Sequence, residues 1–267
     1  MCVLRLCPVQ GATVGSDDPG VTVIGNGNEI GHCAVIGARC QDLKYKHGDD
    51  CFLTIGDNND IREHASIHRS SRPDHETRIG NGNMLMGSCH VAHDVVMGNH
   101  NIVGNNSLLA GHVHVGDNVR VSGACAVQPR VHLGAFCYLT GGSMVDRDVP
   151  PYTIVQGDRA AIRGLNEVLM SRCGLSLEEK RSIRLAYHAL WDPSASDPAC
   201  LQERAAQLLR QPSPPHARLL LQFVVDACIE GKKRNRVGGV CKIRQAAQHR
   251  GEDSFGLQHS VASIPAV

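Results

Sequence analysis

The chain has 267 residues and a formal net charge of +1, from 27 basic and 26 acidic side chains. This balance gives no bulk attraction to nucleic acid or to a membrane surface, and no apolar run approaches the length of a membrane span. Aromatic residues make up only 3% of the chain, which is typical of a narrow core without room for rings.

The N-terminal part of the chain contains the first signs of a repeat. Residues 1–22 have no regular period and show neither a secretory pattern nor an Arg- and Ser-rich transit sequence, so we predict an irregular segment. Ile-Gly pairs then recur every six residues at Ile24, Ile30 and Ile36. The repeat changes phase within residues 38–54, which indicates a loop that leaves the repeating structure without interrupting it.

A six-residue repeat dominates the chain from Ile55 to Val145. Every sixth residue in this stretch is Ile, Leu, Val or Met, and Pro73 is the one exception. Because a period of six fits neither a helix nor an alternating strand, it predicts a β-solenoid over residues 23–152. The expected form is a parallel β-helix with three short strands per coil. Around Pro73, residues 70–77 are predicted to form a second loop.

The chain contains twelve cysteines but no CxxC pair. Cys89, Cys125 and Cys137 follow the repeat aliphatics by four positions, where small or β-branched residues recur. There they are interpreted as compact apolar side chains. We therefore predict buried, reduced thiols in a reducing compartment, and neither a disulfide framework nor a zinc framework.

A small α-helical domain is predicted over residues 153–244, after the repeat ends. Ser176, followed by Glu178 and Glu179, is typical of a helix N-terminus, because carboxylates favour the positive end of the helix dipole. The apolar patterns predict three helices, over 176–192, 201–209 and 217–229. Residues 245–267 are polar and aperiodic, and they are predicted to be disordered.

Histidine is concentrated on the repeat, since nine of the fifteen histidines lie between residues 61 and 132. None of the nine occupies an inward position, so they are predicted to face outward. His93 is followed directly by Asp94, and Gly111 comes eighteen residues later, one coil away at the strand spacing of about 4.8 Å. An imidazole beside a carboxylate can act as a general base, and a nearby backbone N–H can stabilise an oxyanion. The arrangement suits acyl transfer to an alcohol.

Five short motifs give the chain a specific resemblance. They are QDLKY at 41–45, IRE at 61–63 with IHR at 67–69, HVAHD at 90–94, LAGHV at 109–113 and DVPPY at 148–152. Together they resemble the acyl-ACP–UDP-N-acetylglucosamine O-acyltransferases of lipid A biosynthesis, a family of hexapeptide-repeat transferases. MGSCH at 86–90 and the Cys241-Lys242 ending resemble the plant organellar branch. The resemblance covers residues 23–241, and about two N-terminal coils of the family pattern are missing.

The resemblance implies a left-handed parallel β-helix and a homotrimer with its active sites at the subunit interfaces. It implies transfer of a 3-hydroxyacyl chain from acyl carrier protein to the 3-hydroxyl of UDP-N-acetylglucosamine, the first step of lipid A biosynthesis. No metal and no cofactor is expected beyond the phosphopantetheine that carries the acyl group. The plant branch implies a mitochondrial location, with the cytoplasm as the alternative because no transit sequence is visible.

By position, the resemblance assigns the chemistry to three residues. His93 is the general base that takes the proton of the glucosamine 3-hydroxyl, Asp94 orients and polarises it, and the Gly111 N–H is the oxyanion donor. Nine further residues match substrate-binding positions: Asp42, Lys44, His68, His90, His112, Gln128, Gly141, Asn166 and Arg172. Of these, Gly141 matches the end of the acyl groove, where side-chain size limits chain length.

The chain departs from the family pattern at two places. Gln128-Pro129-Arg130 replaces a His-Gln-Phe segment whose polar members contact the nucleotide sugar, and the proline removes a backbone donor. Residues 166–174 lack one of the arginines in the family pattern, and their glutamate stands at a different position. These changes leave the pair of His93 and Asp94 intact, but they predict weak activity or an altered substrate.

Two other functions stay open on the sequence. γ-type carbonic anhydrases are also left-handed β-helix trimers with a zinc ion bound by three histidines. His64 and His100 match the spacing of the first two ligands, but Asn105 stands at the third; a stoichiometric zinc assay would identify this function. The altered binding positions also fit a non-catalytic trimeric subunit, which turnover dependent on His93 would exclude.

Overall fold

The structure, a computed structural model, describes residues 10–191, 201–233 and 239–243. Within these residues the chain forms 21 strands and four helices. The strands are β1 (Thr13–Val14), β2 (Gly20–Ile24), β3 (Glu29–Ile30), β4 (Val35–Ala38), β5 (Cys51–Ile55), β6 (Asp60–Ile61), β7 (Ser66–His68), β8 (Thr77–Ile79), β9 (Met84–Leu85), β10 (His90–Val91), β11 (Val96–Met97), β12 (Ile102–Val103), β13 (Leu108–Leu109), β14 (His114–Val115), β15 (Arg120–Val121), β16 (Ala126–Val127), β17 (His132–Leu133), β18 (Tyr138–Leu139), β19 (Met144–Val145), β20 (Thr153–Gln156) and β21 (Ala161–Leu165).

The strands stack into three sheets, which form the faces of a triangular prism. The first face contains β1-β4-β7-β10-β13-β16-β19, the second β2-β5-β8-β11-β14-β17, and the third β3-β6-β9-β12-β15-β18-β20-β21. In the coils from β8 to β19, each strand pairs in parallel with the strand eighteen residues further on. His90, for example, pairs with Leu108, and Ile102 pairs with Arg120. Residues eighteen apart in these coils therefore occupy the same corner or face.

The repeat aliphatics form a continuous column inside the prism. All of them from Ile55 to Val145 are buried, whereas Pro73 is exposed in a loop. Ile79 and Val103, for example, are 1% and 0% exposed. Full burial of such a side chain stabilises a fold by roughly 1.5–3 kcal/mol. The predicted parallel β-helix is confirmed, and its interior is held together by the period of six.

The cysteines of the described residues are all free thiols. Cys89, Cys125 and Cys137 are buried in the column, as predicted. Burial raises the pKa of the Cys89 thiol to about 12, so it stays protonated at neutral pH. These three side chains are packing groups.

Both predicted loops leave the prism at the corner between the first and second faces. Residues 39–50 connect β4 to β5, and residues 69–76 connect β7 to β8. The second loop is anchored by the buried Arg69, whose Nε donates to Thr22 Oγ1 and whose Nη1 donates to the Asp18 carbonyl, both at 3.0 Å. Because the loop is anchored at its base, it holds a fixed position beside the next coil.

Strand pairing extends beyond the expected limits of residues 23 and 152. Thr13–Val14 pairs with β4 and Gly20–Ile24 with β5, inside the segment predicted to be irregular. Thr153–Gln156 continues the third face, and Ala161–Leu165 returns antiparallel to it. Both residues of β1 are exposed. The strand is therefore held by its backbone pairing with β4, and no apolar pattern in the sequence marks it.

Four helices follow the prism: α1 (Glu167–Arg172), α2 (Leu177–Trp191), α3 (Leu201–Leu209) and α4 (Pro215–Lys233). The last three are the predicted helices, and α1 is an addition. At the start of α2, the Ser176 N–H donates to Glu179 Oε2 at 2.7 Å and the Glu179 N–H donates to Ser176 Oγ at 3.2 Å, a reciprocal cap. None of the described helices has the length and apolarity needed to cross a bilayer.

The helices pack on a core of their own, which includes the fully buried Tyr152 and Leu220. The chain then returns to the last coil, where Val240 bridges to Asp148 and Ile243 bridges to Ile162. The predicted end of α2 at residue 192 and the predicted disordered tail, 245–267, lie outside the described residues.

Candidate active site at a corner of the prism

The centre of the candidate site is the corner between the first and second faces, where β10 ends. There His93 Nδ1 lies 2.7 Å from Asp94 Oδ2, which fixes Nδ1 as the donor and leaves Nε2 with a free lone pair. The His93 side chain is 15% exposed and that of Asp94 only 4%. The lone pair is therefore available for proton abstraction while the carboxylate behind it is shielded.

The buried Asp94 is held by the neighbouring loop. Ser71 donates to it twice, from its N–H to Oδ1 at 3.1 Å and from Oγ to Oδ2 at 2.6 Å. The Asp94 N–H donates to Thr77 Oγ1 at 2.8 Å. Burial acts to raise the pKa of Asp94, but the hydrogen bonds from His93 and Ser71 outweigh burial and hold it at about 2. The carboxylate is therefore ionised at neutral pH and can stabilise an imidazolium.

Gly111 lies one coil from His93, as the register of β10 and β13 requires. A Cβ atom added at Gly111 would lie 2.5 Å from His93 Nε2 and closer still to Cε1, so the imidazole ring occupies the space that any other side chain would need. The Gly111 carbonyl accepts from the Arg130 N–H at 3.0 Å. Within the described residues its own N–H has no acceptor and is available to a ligand.

His112 completes the corner on the side of Asp94. Its Nε2 lies 3.5 Å from Asp94 Oδ2, and its ring makes an edge contact with the His93 ring at 5.2 Å. Burial lowers the pKa of His112 to about 4; the Asp94 carboxylate opposes this shift, while the positive charge of Arg130 adds to it. A neutral imidazole beside the ionised carboxylate can accept or donate a hydrogen bond to a substrate.

His90 and His68 extend the cluster along the first face. Their rings meet edge to face at 4.7 Å, and His90 Nδ1 lies 2.7 Å from Ser66 Oγ. Burial lowers the pKa of His68 to about 4 and also lowers that of His90, with the nearby His93 acting in the same direction on both. His68 is only 6% exposed, so it supports His90 more than it offers a surface to a ligand.

Three predicted binding residues, Asn166, Arg172 and Gly141, lie away from this corner. Asn166 and Arg172 line a cavity of about 600 Å³ beside the third face, together with Arg120 and Tyr138. The side chain of Asn166 is engaged: its Oδ1 caps α1 by accepting from the Leu169 N–H at 3.2 Å, and its Nδ2 donates to the Phe136 carbonyl at 3.0 Å. In this conformation Asn166 shapes the cavity.

Gly141 lies on the edge of the same region. A Cβ atom there would meet the Gly123 carbonyl at 3.6 Å, an ordinary contact, and Gly123 lines the cavity. A larger side chain there would therefore start in contact with Ser122 and Gly123, both of which line the cavity. This placement is consistent with a residue whose size limits the length of a bound chain.

The remaining predicted residues lie around the same corner, where Lys44 and Gln128 are exposed and Asp42 is half-buried. Asp42 and Lys44 lie in the loop from β4 to β5, where the Lys44 N–H donates to Asp42 Oδ1 at 2.9 Å. Gln128 is exposed one coil beyond the Ala110 position, and Pro129 follows one coil beyond Gly111. The segment 128–130, predicted to depart from the family pattern, thus lies directly beside Gly111, the predicted oxyanion donor.

The histidines proposed for a carbonic anhydrase lie apart. His64 precedes β7 at the corner between the third and first faces, whereas His100 precedes β12 at the corner between the second and third faces. The loop after β7 adds six residues to that coil, because His90 pairs with Ser66 at a separation of 24 residues instead of 18. The sequence spacing therefore does not bring the two imidazoles together within one chain.

Comparison with known proteins places the chain in a family. A family model described as UDP N-acetylglucosamine O-acyltransferase, domain 2, matches residues 148–235, and a model of bacterial transferase hexapeptides matches residues 76–111. A probable mitochondrial acyl-ACP–UDP-N-acetylglucosamine O-acyltransferase of Arabidopsis thaliana is 47% identical over 247 residues, 91% of this chain and 71% of that protein. The chain belongs to this O-acyltransferase family.

Other proteins and solved structures of this O-acyltransferase family are also similar to the chain. The acyl-ACP–UDP-N-acetylglucosamine O-acyltransferase of Myxococcus xanthus is 41% identical over 206 residues, 77% of this chain and 78% of its own length. The crystal structure of an Arabidopsis UDP-N-acetylglucosamine acyltransferase has a TM-score of 0.82 and 46% identity, covering 88% of this chain and 81% of that one. The Bacteroides fragilis structure has a TM-score of 0.73 and 33% identity, covering 81% and 82%. The solenoid is left-handed, as predicted.

Two residues of this O-acyltransferase site were not predicted from the sequence. Ser71 and Thr77 hold Asp94, but they stand four positions after Ile67 and Pro73, where the repeat predicts small or β-branched residues that face the core. No signal in the repeat could have revealed them, because Ser107 and Ser143 occupy the equivalent position in regular coils and are also buried. The role of each predicted substrate-binding residue stays a prediction.

Proposed function

We propose that this protein transfers a 3-hydroxyacyl chain from acyl carrier protein to the 3-hydroxyl of UDP-N-acetylglucosamine, the first step of lipid A biosynthesis. The observation that carries the proposal is the position of His93, held by Asp94 at 2.7 Å and lying against Gly111. Membership in the O-acyltransferase family supplies the substrates. The changes at Gln128 and Pro129 lie beside the site and leave this pair intact.

The geometry supports a single displacement at the thioester carbonyl. His93 Nε2 removes the proton of the sugar hydroxyl as its oxygen attacks the carbonyl carbon, and the negative charge moves to the carbonyl oxygen. The Gly111 N–H donates to that oxyanion, a contribution of roughly 10²–10³ in rate where such donors have been removed. When the intermediate collapses, the C–S bond breaks and His93 gives the proton to the sulfur of the leaving phosphopantetheine. Asp94 stays ionised throughout and stabilises the imidazolium.

The test of this chemistry is the His93→Ala variant. It should lower acyl transfer roughly 10²–10⁴-fold, the usual contribution of a general base, while the fold is unaffected because the side chain lies outside the apolar column. Steady-state rates with UDP-N-acetylglucosamine and a series of 3-hydroxyacyl carrier proteins would measure it. If His93→Ala turns over as fast as the wild type, the mechanism is wrong; if neither protein turns over, the chain is a non-catalytic subunit.

We propose that the active protein is a homotrimer. Leu108 and Met144 are 49% and 44% exposed on the first face, in register with the outward His90, and an apolar strip of this kind favours a partner surface. Asn166 and Arg172 lie by the third face, away from the catalytic corner. A neighbouring copy could bring the two regions together, which one chain does not do.

Mixed trimers test the shared site. His93→Ala and Arg172→Ala variants, each of low activity alone, would be co-expressed in equal amounts. If each site takes its base from one chain and its Arg172 from the next, about a quarter of the sites are complete and activity returns to about that level. No recovery, in a complex shown by sedimentation to be a mixed trimer, would place both residues of a site in the same chain.

We further propose a mitochondrial location and a reaction without a metal or cofactor other than phosphopantetheine. The first rests on the mitochondrial designation of the Arabidopsis relative, and fractionation of cells that express the full-length protein would test it. The second rests on the chemistry of the His93–Asp94 pair, which needs no Lewis acid. Turnover that a chelator abolishes, and that added metal restores, would overturn it.

A further inference from the structure

The catalytic corner contains a histidine that the proposed reaction does not use. His75 lies in the loop between β7 and β8, and its Nδ1 faces Asp94 Oδ1 at 3.4 Å. That nitrogen is buried, yet it has no hydrogen-bond partner within the described residues. A buried polar nitrogen that has lost its contact with water without gaining a partner is destabilising, which points to a ligand that pairs with it.

Two further donor atoms face the same point. His112 Nε2 lies 3.5 Å from Asp94 Oδ2, and the donor atoms of His75, Asp94 and His112 all lie within 4.8 Å of one another. A tetrahedral zinc ion with ligands at about 2.0–2.1 Å needs neighbouring donors to be about 3.3–3.4 Å apart. The two imidazole nitrogens face different oxygens of the Asp94 carboxylate, His75 Nδ1 facing Oδ1 at 3.4 Å and His112 Nε2 facing Oδ2 at 3.5 Å. An ion between the imidazoles would therefore be held by both carboxylate oxygens, and the two imidazole nitrogens would have to move closer together.

We infer that His75, Asp94 and His112 form a binding site for a divalent transition-metal ion such as Zn²⁺. Two imidazoles and a carboxylate are the donor set of open zinc sites, in which a water takes the fourth position. The other ring nitrogen of His75, Nε2, faces Asp74 Oδ2 at 3.9 Å, the kind of carboxylate that orients a metal-bound imidazole. Arg130 lies near His112, and its positive charge opposes the ion and limits its affinity.

Occupation of this site would interrupt the catalytic pair. The ion takes lone pairs of Asp94, the carboxylate that also accepts from His93 Nδ1 and from Ser71. Its two positive charges also offset the negative charge that would stabilise the imidazolium of His93. The ion is therefore an inhibitor of the proposed acyl transfer and takes no part in it. This inhibitory role rests on the proposed function, whereas binding itself does not.

Binding is measured first, on the full chain without a purification tag and after treatment with a chelator. Titration with Co²⁺, whose visible absorption reports tetrahedral nitrogen and oxygen coordination, should reach one ion per chain at micromolar concentration. His75→Ala should weaken binding by more than the roughly 10–100-fold that loss of an outer partner of a metal site costs. The matched control is His188→Ala, which removes an exposed imidazole from α2.

The second measurement is inhibition of acyl transfer by Zn²⁺. Inhibition of the wild type and of His188→Ala should rise in parallel with Co²⁺ binding, and a chelator should reverse it. His75→Ala should keep its basal rate and should not be inhibited. Absence of stoichiometric Co²⁺ binding, or equal binding by His75→Ala and wild type, would overturn the inference. If the chain binds Co²⁺ through His75 but transfers no acyl group, the metal site stands and the proposed function fails.

Discussion

Substitution of Gly111 by alanine tests the central geometry of the site. The added Cβ would lie 2.5 Å from His93 Nε2, whereas carbon and nitrogen atoms in contact need about 3.4 Å or more. The ring must therefore move by about 1 Å away from the oxyanion position. A misplacement of this size costs roughly 10²-fold in rate, and the loss should appear in kcat and not in KM.

The fold should tolerate the change, since Gly111 has no positive φ. The matched control is Gly87→Ala, because Gly87 precedes Ser88 at φ 58° as Gly111 precedes His112 at φ 60°. A Cβ at Gly87 would meet Asn105 Nδ2 at 3.2 Å and two oxygens of Glu63 at the ordinary contact distances of 3.5 and 3.7 Å. Steady-state kinetics and thermal unfolding of both variants would measure the two effects. If Gly111→Ala keeps the wild-type kcat, the ring does not act from the position described here.

Three other perturbations test separate parts of the molecule. The pKa of His68 is about 4 in the folded chain, below the usual value of about 6.5. The unfolded chain therefore binds a proton at a higher pH than the folded chain does, and the contribution of His68 to the free energy of unfolding should fall between pH 6.5 and 4 by at most about 1.4 kcal/mol per pH unit. Urea unfolding should show a smaller slope for His68→Asn, and an unchanged slope would contradict this. Replacement of Gln128-Pro129 by His-Gln should lower KM for the nucleotide sugar more than it changes kcat; an effect on kcat alone would place these residues elsewhere in the mechanism. Gly141→Met should shift the preferred acyl donor to shorter chains in competition assays, and an unchanged preference would separate this position from the acyl groove.

Residues on the regular coils could be predicted from the sequence because the register is rigid. Val91 pairs with Leu109, so the eighteen-residue step correctly placed Gly111 against His93. The same regularity made the burial of the repeat aliphatics predictable. Where coils repeat without insertions, counting residues is equivalent to measuring distance along the solenoid.

The loop residues could not be predicted in the same way. His75 and Ser71 reach Asp94 because the loop is held at its base by the hydrogen bonds of Arg69 to Thr22 and Asp18, contacts that link residues about fifty positions apart. A six-residue repeat does not predict contacts between residues so far apart, or the position of the loop that they hold. The short helix α1 also escaped prediction, since six residues are too few to show a helical period, and its start depends on the Asn166 cap.

The return of the chain to the last coil has a consequence for how the protein can be divided. The helices leave the prism after Leu165 and the chain rejoins it at Val240, so both ends of the helical region are attached to the same coil. A backbone cut between α2 and α3 would therefore separate two fragments that still share a buried core around Tyr152 and Leu220. Co-expressed as separate polypeptides, these fragments should reassemble by complementation and elute from a sizing column as the intact protein does.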